Sequence, residues 1–424
     1  MVSANAFSGG ARAVARCDAL GVAPYSDAAD MLIRAYLTPA HAAALERLSE
    51  WMHEAGMQAR LDPAANLIGR YEGESPDAPA LIIGSHIDSV RDAGRYDGPL
   101  GIMLGMEAVA ALHAAGRRMP FPIEVIALGD EEGSRFPASM LCSRAIAGTL
   151  KAEALDVADR DGTTLSDALS AFAVSVDTAP LGVRHFLDAA HPPALAFFEP
   201  HIEQGPVLEA EKLALGAVSG IAAQLRLEVT ITGRAGHAGT NAMNLRRDAL
   251  TGAAEAVLAI ERIAREKGGD LVATVGRMQV SPGAVNVVPG TVTFSIDIRS
   301  GDESVRDEAA ARILAAIDEI VHARGLSYSS NQVQDLSGSP CDSELTVLLA
   351  AALTDTGHSP RMLVSGAGHD TMVMSALCPT AMLFIRCKDG ISHNPAESVT
   401  AEDCEAALQA MLAFIEKLGE RERG

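Results

Sequence analysis

Four times along the chain, an apolar run of strand length gives way at once to a polar cluster rich in histidine and acid. The four are ALIIGSHID (residues 80–88), IEVIALGDEEG (123–133), LAFFEPHIEQG (195–205) and AMLFIRCKDGISHNP (381–395). A continuous apolar run has no polar side, so it fits a strand buried on both faces, as in a parallel sheet covered by helices. Each cluster then falls at a strand's carboxyl end, the edge where open α/β sheets bind ligands. The stretch from Pro99 to Ala115 reads as a helix between the first two runs, with Pro at its first turn and Gly116 as its stop. The expected larger domain is therefore α/β, a mostly parallel sheet with helices on both faces.

Between the third and fourth runs the pattern changes. Leu225, Leu227, Val229 and Ile231 alternate with polar residues, as in a half-buried strand, and Asn244 to Lys267 has helical periodicity. Strands are expected over Leu271–Val280 and Thr291–Arg299, a helix over Glu303–Ala323 and a last strand near Leu326. That is a β-α-β-β-α-β order, an α+β module inserted into the larger domain. The expected division is residues 1–218 with 335–424 for the larger domain and 219–334 for the insertion. At 424 residues the chain exceeds one ordinary core, and 48% apolar residues suffice for two.

A net charge of -21 opposes binding to the phosphates of nucleic acid or of an anionic membrane, which leaves small molecules as the expected partners. The six cysteines are scattered without a CxxC pair, which fits a reducing compartment and no structural disulfide. The opening residues, MVSANAFSGGARAVARCDALG, contain no continuous apolar run of signal-peptide type, so the expectation is a cytoplasmic protein.

The chemistry is concentrated in His86, Asp88, Asp97, Glu131, Glu132, His201 and His393. Singly, a histidine at a strand end is more often a structural hydrogen-bonding residue, and an acidic pair is more often a solvated turn. Jointly they stand at the same edge of one parallel sheet, although the first and last are over 300 residues apart. Imidazole and carboxylate donors suit zinc and related divalent ions, and one carboxylate can bridge two of them. Of the adjacent Glu131 and Glu132, one can bind metal while the other stays free as a base. Asp88, two residues after His86, is placed to orient that ring.

The motifs GSHIDSV, RYDGPLG, GDEEGSRF, HIEQGP, GRAGHAG and SHNPAE, in that order, resemble those of the M20-type dinuclear metallohydrolases, in the branch of hydantoinase-associated carbamoylases and allantoate amidohydrolases. The resemblance runs from about Ala80 to Val399. It implies two divalent ions, zinc first among manganese, cobalt and nickel. One is held by His86, Asp97 and His201, the other by Asp97, Glu132 and His393, with Glu131 as general base. It also implies that the inserted module is a lid and dimerisation domain of a homodimer. There His237 polarises the scissile carbonyl from the partner chain, Asn286 and Arg299 grip a substrate carboxylate, and Gln204 and Arg226 touch substrate. On chemistry alone, Arg299 offers a fork to a carboxylate or to a surface ion pair, His237 stands among glycines that also make turns, and Asn286 suits a turn cap.

The resemblance implies hydrolysis of a ureido group on a small carboxylate. SGAGHD (365–370) and the LFIRCKDGISHNPAE tail favour allantoate, with N-carbamoyl-L-amino acids next. His201 stands where the peptidase members usually carry an acid, and Asp92-Ala93 where a Gly-Gly pair is common. A dipeptidase or deacylase of the same architecture and a metal protein that only binds its ligand are the alternatives.

Overall fold

The computed structural model describes residues 8–175 and 186–424, so the first seven residues of the N-terminal stretch lie outside it. The chain divides into two compact units, one of Met1–Ser219, Cys341–Leu363 and Gly368–Gly424, the other of Gly220–Pro340 and Val364–Ala367.

In the first unit the four apolar runs form the centre of one sheet, in the order Ile123–Leu128, Leu81–His86, Ala196–Ile202, Thr380–Ile385, all parallel. Every residue of these four strands is buried. Alternate residues feed two cores, as the pleat requires. Leu81, Ile83, Val125 and Phe198 join the core under helices Gly9–Leu20, Pro39–Glu54, Pro99–Ala114 and Ala401–Arg423. Ile82, Ile126, Leu128 and Phe197 meet Ile146 and Met374 from the short helices Leu141–Ile146 and Asp370–Met374 on the opposite face. The edges depart from the parallel rule. Strands Gln58–Leu61 and Leu67–Tyr71 extend one side antiparallel, and Leu215–Ile221 runs antiparallel to Thr380–Ile385 on the other. Only five residues join Gln58–Leu61 to Leu67–Tyr71, too few for a crossover helix, so that pair turns back on itself, whereas the other two antiparallel pairings are with strands distant in sequence.

Register sets the site. His86 is level with Leu128, just ahead of the GDEEG turn, and Phe384 is level with His201. All four clusters thus leave the sheet at the same edge. After Asp97 the backbone passes Gly98 at φ +85, where a Cβ would stand 2.5 Å from His86 Cε1 and from the His86 carbonyl oxygen. Only glycine combines that conformation with that approach. Pro99 then opens the helix.

The second unit is a sheet in the order Met278–Ser281, Thr291–Ser300, Ala223–Thr232, Ser327–Leu336, all antiparallel. The strand expected over Leu271–Val280 is two pieces, Val272–Thr274 and Met278–Ser281, both paired with Thr291–Ser300. Between them, at Gly276, the ladder gives way to a Ser295 N–H bond to the Arg277 carbonyl. The helix expected from Asn244 begins at Ala249, because Asp248 caps it by accepting from the Leu250 and Thr251 N–H groups. Leu225, Val229, Phe294 and Ile296 form a core with Ile260, Ile263, Ile313 and Ile317 of helices Ala249–Lys267 and Glu303–Ala323. The intervening strand residues, among them Arg226, Thr230, Thr293, Ser295, Asp297 and Arg299, give the sheet a polar opposite face.

No helix among the described residues is long and apolar enough to cross a membrane. The six cysteines are buried free thiols.

Candidate active site

His86 ends its strand with Nδ1 3.1 Å from the Asp88 carbonyl. A carbonyl only accepts, so the ring proton sits on Nδ1 and the Nε2 lone pair faces Asp97 Oδ1 at 3.6 Å. His201 repeats the arrangement. Its Nδ1 is 2.9 Å from the Ile202 carbonyl, and its Nε2 faces the same Asp97 Oδ1 at 3.1 Å. Two imidazole lone pairs thus converge on a carboxylate oxygen. Asp97 Oδ1 and His201 Nε2 are both buried without a hydrogen-bond partner. Two acceptors facing one another out of water are satisfied by a cation shared between them, and imidazole with carboxylate is a donor set suited to a divalent ion of the zinc class. The residues therefore fit a metal.

The second oxygen of Asp97 looks the other way. His393 Nε2 lies 3.3 Å from Asp97 Oδ2 and 3.3 Å from Glu132 Oε1. Two groups with mutually close donor atoms result, His86 with Asp97 and His201, and Asp97 with Glu132 and His393, and Asp97 is in both. A third, His86 with Glu131 and Glu132, keeps Glu131 close by. Burial raises the Glu131 carboxyl well above its ordinary range, opposed by His86 and reinforced by the charges of Asp370, Glu132 and Asp88. For Asp97 burial acts in the same sense, but the imidazoles of His201, His393 and His86 gathered around it outweigh that and hold its carboxyl well below the usual range.

Supporting contacts come from several loops. The Asp88 carboxylate accepts from the Glu131 N–H at 3.0 Å and the Glu132 N–H at 3.2 Å, while standing 3.5 Å from His86 Nδ1. It therefore seats the glutamate pair as much as it orients the ring. Glu397 Oε1 accepts from the Tyr96 and Asp97 N–H groups at 2.7 and 3.1 Å, tying the loop of Asp97 to that of His393. His393 and Gln204 have φ of +54 and +55, a conformation that non-glycine residues adopt at a cost of about 1–3 kcal/mol. Gln204 donates from Nε2 to Asp97 Oδ2 at 2.8 Å and to Ser392 Oγ at 3.2 Å, so its donor side faces the carboxylate.

Sequence reasoning gave no role to Glu199, His369 or Asp370. The ring of His369 packs edge-on against His201, centroids 4.5 Å apart, and Glu199, His201 and His369 form a further group of close donor atoms. Glu199 accepts from the Thr371 N–H and Oγ at 2.9 and 2.6 Å, which fixes the turn after His369. The available signal was SGAGHD, a polar cluster directly after the strand Met362–Ser365.

The remaining expected residues belong to the second unit. Gly236–His237 pairs with Val287–Val288, and the Ala238 N–H donates to the Asn286 carbonyl at 2.8 Å, so His237 and Asn286 stand side by side on one exposed ribbon. His237 Nδ1 accepts from the Gly239 N–H at 3.1 Å, which leaves the ring proton on Nε2 as a free donor. Arg226 and Arg299 both bond Asp297.

A family model described as Peptidase family M20/M25/M40 matches residues 82–417. The chain is 40% identical over 423 residues to a protein of Oryza sativa subsp. japonica named "Probable allantoate deiminase", covering 92% of this chain and 85% of that one. It is 39% identical over 381 residues to the N-carbamoyl-L-amino acid amidohydrolase of Geobacillus stearothermophilus, covering 89% and 91%. A crystal structure of an amidase of the hydantoinase/carbamoylase family from Burkholderia multivorans superposes with a TM-score of 0.87 at 34% identity, covering 96% of this chain and 97% of that one. The protein is a hydrolase acting on C–N bonds, an amidohydrolase. A parallel sheet that gathers histidines and carboxylates at one edge, and a match over most of its length, lead to one conclusion: the chain belongs to peptidase family M20/M25/M40, in its hydantoinase/carbamoylase branch.

Proposed function

We propose that the protein cleaves the ureido C–N bond of a small carboxylate, allantoate first and N-carbamoyl-L-amino acids second, the substrates named for its relatives. The observation that carries this reading is the convergence of His86 and His201 on Asp97 Oδ1 beside the partly buried Glu131. His86, Asp97 and His201 hold one divalent cation and Asp97, Glu132 and His393 a second. Zinc is the first choice, and manganese, cobalt or nickel accept the same donors. Such cations, when bound, lower the pKa of water and polarise a carbonyl. Glu131, whose burial raises the proton affinity of its carboxylate, takes a proton from the attacking water and delivers it to the leaving nitrogen. His237 donates its Nε2–H to the carbonyl oxygen as negative charge develops there. Arg299 and Asn286 hold the substrate carboxylate, with Arg226 and Gln204 as further contacts.

Met243, Leu245 and Val285 are exposed apolar residues close in sequence to His237 and Asn286. Such residues favour burial in an interface between two copies, and a homodimer in which His237 serves the partner is the assembly we propose. Light scattering at micromolar concentration tests it, and a monomer at full activity overturns it. All six cysteines are free thiols, which suits the reducing cytosol. The substrate is tested by ammonia release from metal-reconstituted protein on allantoate, N-carbamoyl-L-amino acids and dipeptides side by side. Cleavage of dipeptides alone would replace the ureido reading with a peptidase one.

A further inference from the structure

On the polar face of the second unit's sheet, one carboxylate organises two guanidiniums. Asp297 lies two residues before Arg299 on the same strand and level with Arg226 on the next, so all three side chains leave one face. Asp297 Oδ1 accepts from Arg299 Nε at 2.7 Å, and Oδ2 accepts from Arg299 Nη2 at 2.9 Å, Arg226 Nε at 2.8 Å and Gln224 Nε2 at 2.9 Å. Arg299 Nη1 donates to the Gly366 carbonyl.

A guanidinium has five N–H groups, and these bonds use three of Arg299's. The fork formed by Nε and Nη2, the edge an arginine commonly offers a carboxylate, is occupied by Asp297. One N–H on Nη1 and one on Nη2 are left over. Arg226 is engaged through Nε, and its Nη groups carry no hydrogen bond among the described residues. Two cations on one anion leave a net positive charge beside a cleft of about 670 Å³ lined by Arg226, Thr274, Ser295, Asp297, Arg299 and Gly366. Burial works against ionisation of Asp297, but the hydrogen bonds from Arg299 and Arg226 hold its carboxyl below the usual range.

We propose that Asp297 is a positioning residue for carboxylate recognition: it occupies the side-on edge of Arg299, leaves Nη1 and Nη2 for the ligand, and draws Arg226 alongside. The substrate's carboxylate is then met end-on by one arginine with a second beside it, rather than by a single side-on fork. This inference rests on the assignment of Arg299 to the substrate carboxylate.

The test is the preference of the metal-reconstituted protein for an N-carbamoyl-L-amino acid over its neutral carboxamide, expressed as the ratio of their kcat/KM values. Asp297→Asn is nearly the same size, yet its amide nitrogen cannot accept from a guanidinium, so the fork is broken. The expected result is a preference lowered by about tenfold, carried mainly by KM for the acid. Arg299→Ala is expected to abolish the preference, and adding Asp297→Asn to it should lower the preference no further. Asp297→Ser is run in parallel, so that misfolding of either replacement leaves the other to decide. An unaltered preference in the position-297 variants, with preference lost in Arg299→Ala, overturns the positioning role and leaves the carboxylate assignment standing. Preference retained in Arg299→Ala overturns that assignment and this inference with it.

Discussion

Asp97 Oδ1 lies 3.1 Å from His201 Nε2 and 3.6 Å from His86 Nε2, while Oδ2 lies 3.3 Å from His393. Among the described residues no other side chain belongs to both groups of donor atoms on the two sides of that carboxylate, so its charge is shared between them. Asp97→Asn keeps the shape and removes the charge. Bound metal is expected to fall below about one ion per chain by elemental analysis, because a neutral amide is a poor bridge between cations. Glu131→Gln separates binding from chemistry. Turnover should drop by about 10²–10⁴-fold with metal content retained, since the side chain proposed to move the proton is lost while the proposed ligands remain. Equal turnover in ammonia release would remove Glu131 from its role. The types and approximate positions of these residues were legible in the chain, because each follows directly on an apolar run. The part of Glu199 and His369 was not, since the packing of a ring 168 positions away against His201 is a contact that no local pattern encodes.

Among the elements, the turn from Asp97 into the helix Pro99–Ala114 is under the tightest steric control. Gly98→Ala puts a methyl group 2.5 Å from the His86 ring at φ +85. A loss of about 1–3 kcal/mol is expected, together with weaker metal binding in equilibrium dialysis, because the Asp97 loop must shift to relieve the contact. The helix Pro39–Glu54 carries a different liability. His41 is buried, accepts from the Leu37 N–H through Nδ1 and stacks on Phe172. Burial, aided by the charge of Arg34, lowers its pKa from 6.5 to about 3. The unfolded chain takes up a proton below 6.5 that the native ring refuses, so this stability is present above pH 6.5 and is lost as pH falls toward 3. Acidification from about pH 6.5 to about pH 5 should cost about 2 kcal/mol, and urea titrations of His41→Leu should show a shallower pH slope by about one proton. Element type was readable from periodicity, but boundaries moved: Asp248 delays one helix, and residues 275–277 interrupt one strand.

Across the molecule, the metal-facing edge is a store of unfavourable charge. Burial raises the carboxyls of Asp88, Asp130 and Glu131, and Asp370 to about 8. Divalent cations held by the proposed ligands would offset that repulsion in the folded chain alone, so chelation should lower the unfolding midpoint by several degrees, as expected for loss of a ligand at about 100 times its Kd, which is worth about 2.7 kcal/mol. Restoring one cation type at a time, with differential scanning calorimetry, ranks the metals the donor set accepts. An unfolding midpoint indifferent to both steps would mean that the cluster holds no metal.

Local composition by itself determined which segments become buried parallel strands, because a run with no polar side is stable only between two covered faces, and it determined that histidines and acids follow those strands. Tertiary structure alone decided which of them face one another. Strand register aligned His86 with the GDEEG turn and His201 with Phe384, and backbone carbonyls chose the ring tautomers. The antiparallel edges, the left-handed backbone of His393 and the capture of Arg299 by Asp297 also depend on partners far off in the chain or on geometry that propensity does not contain. Hydrophobic periodicity is a property of neighbours in sequence, whereas the meeting of two lone pairs at one carboxylate oxygen is a property of neighbours in space.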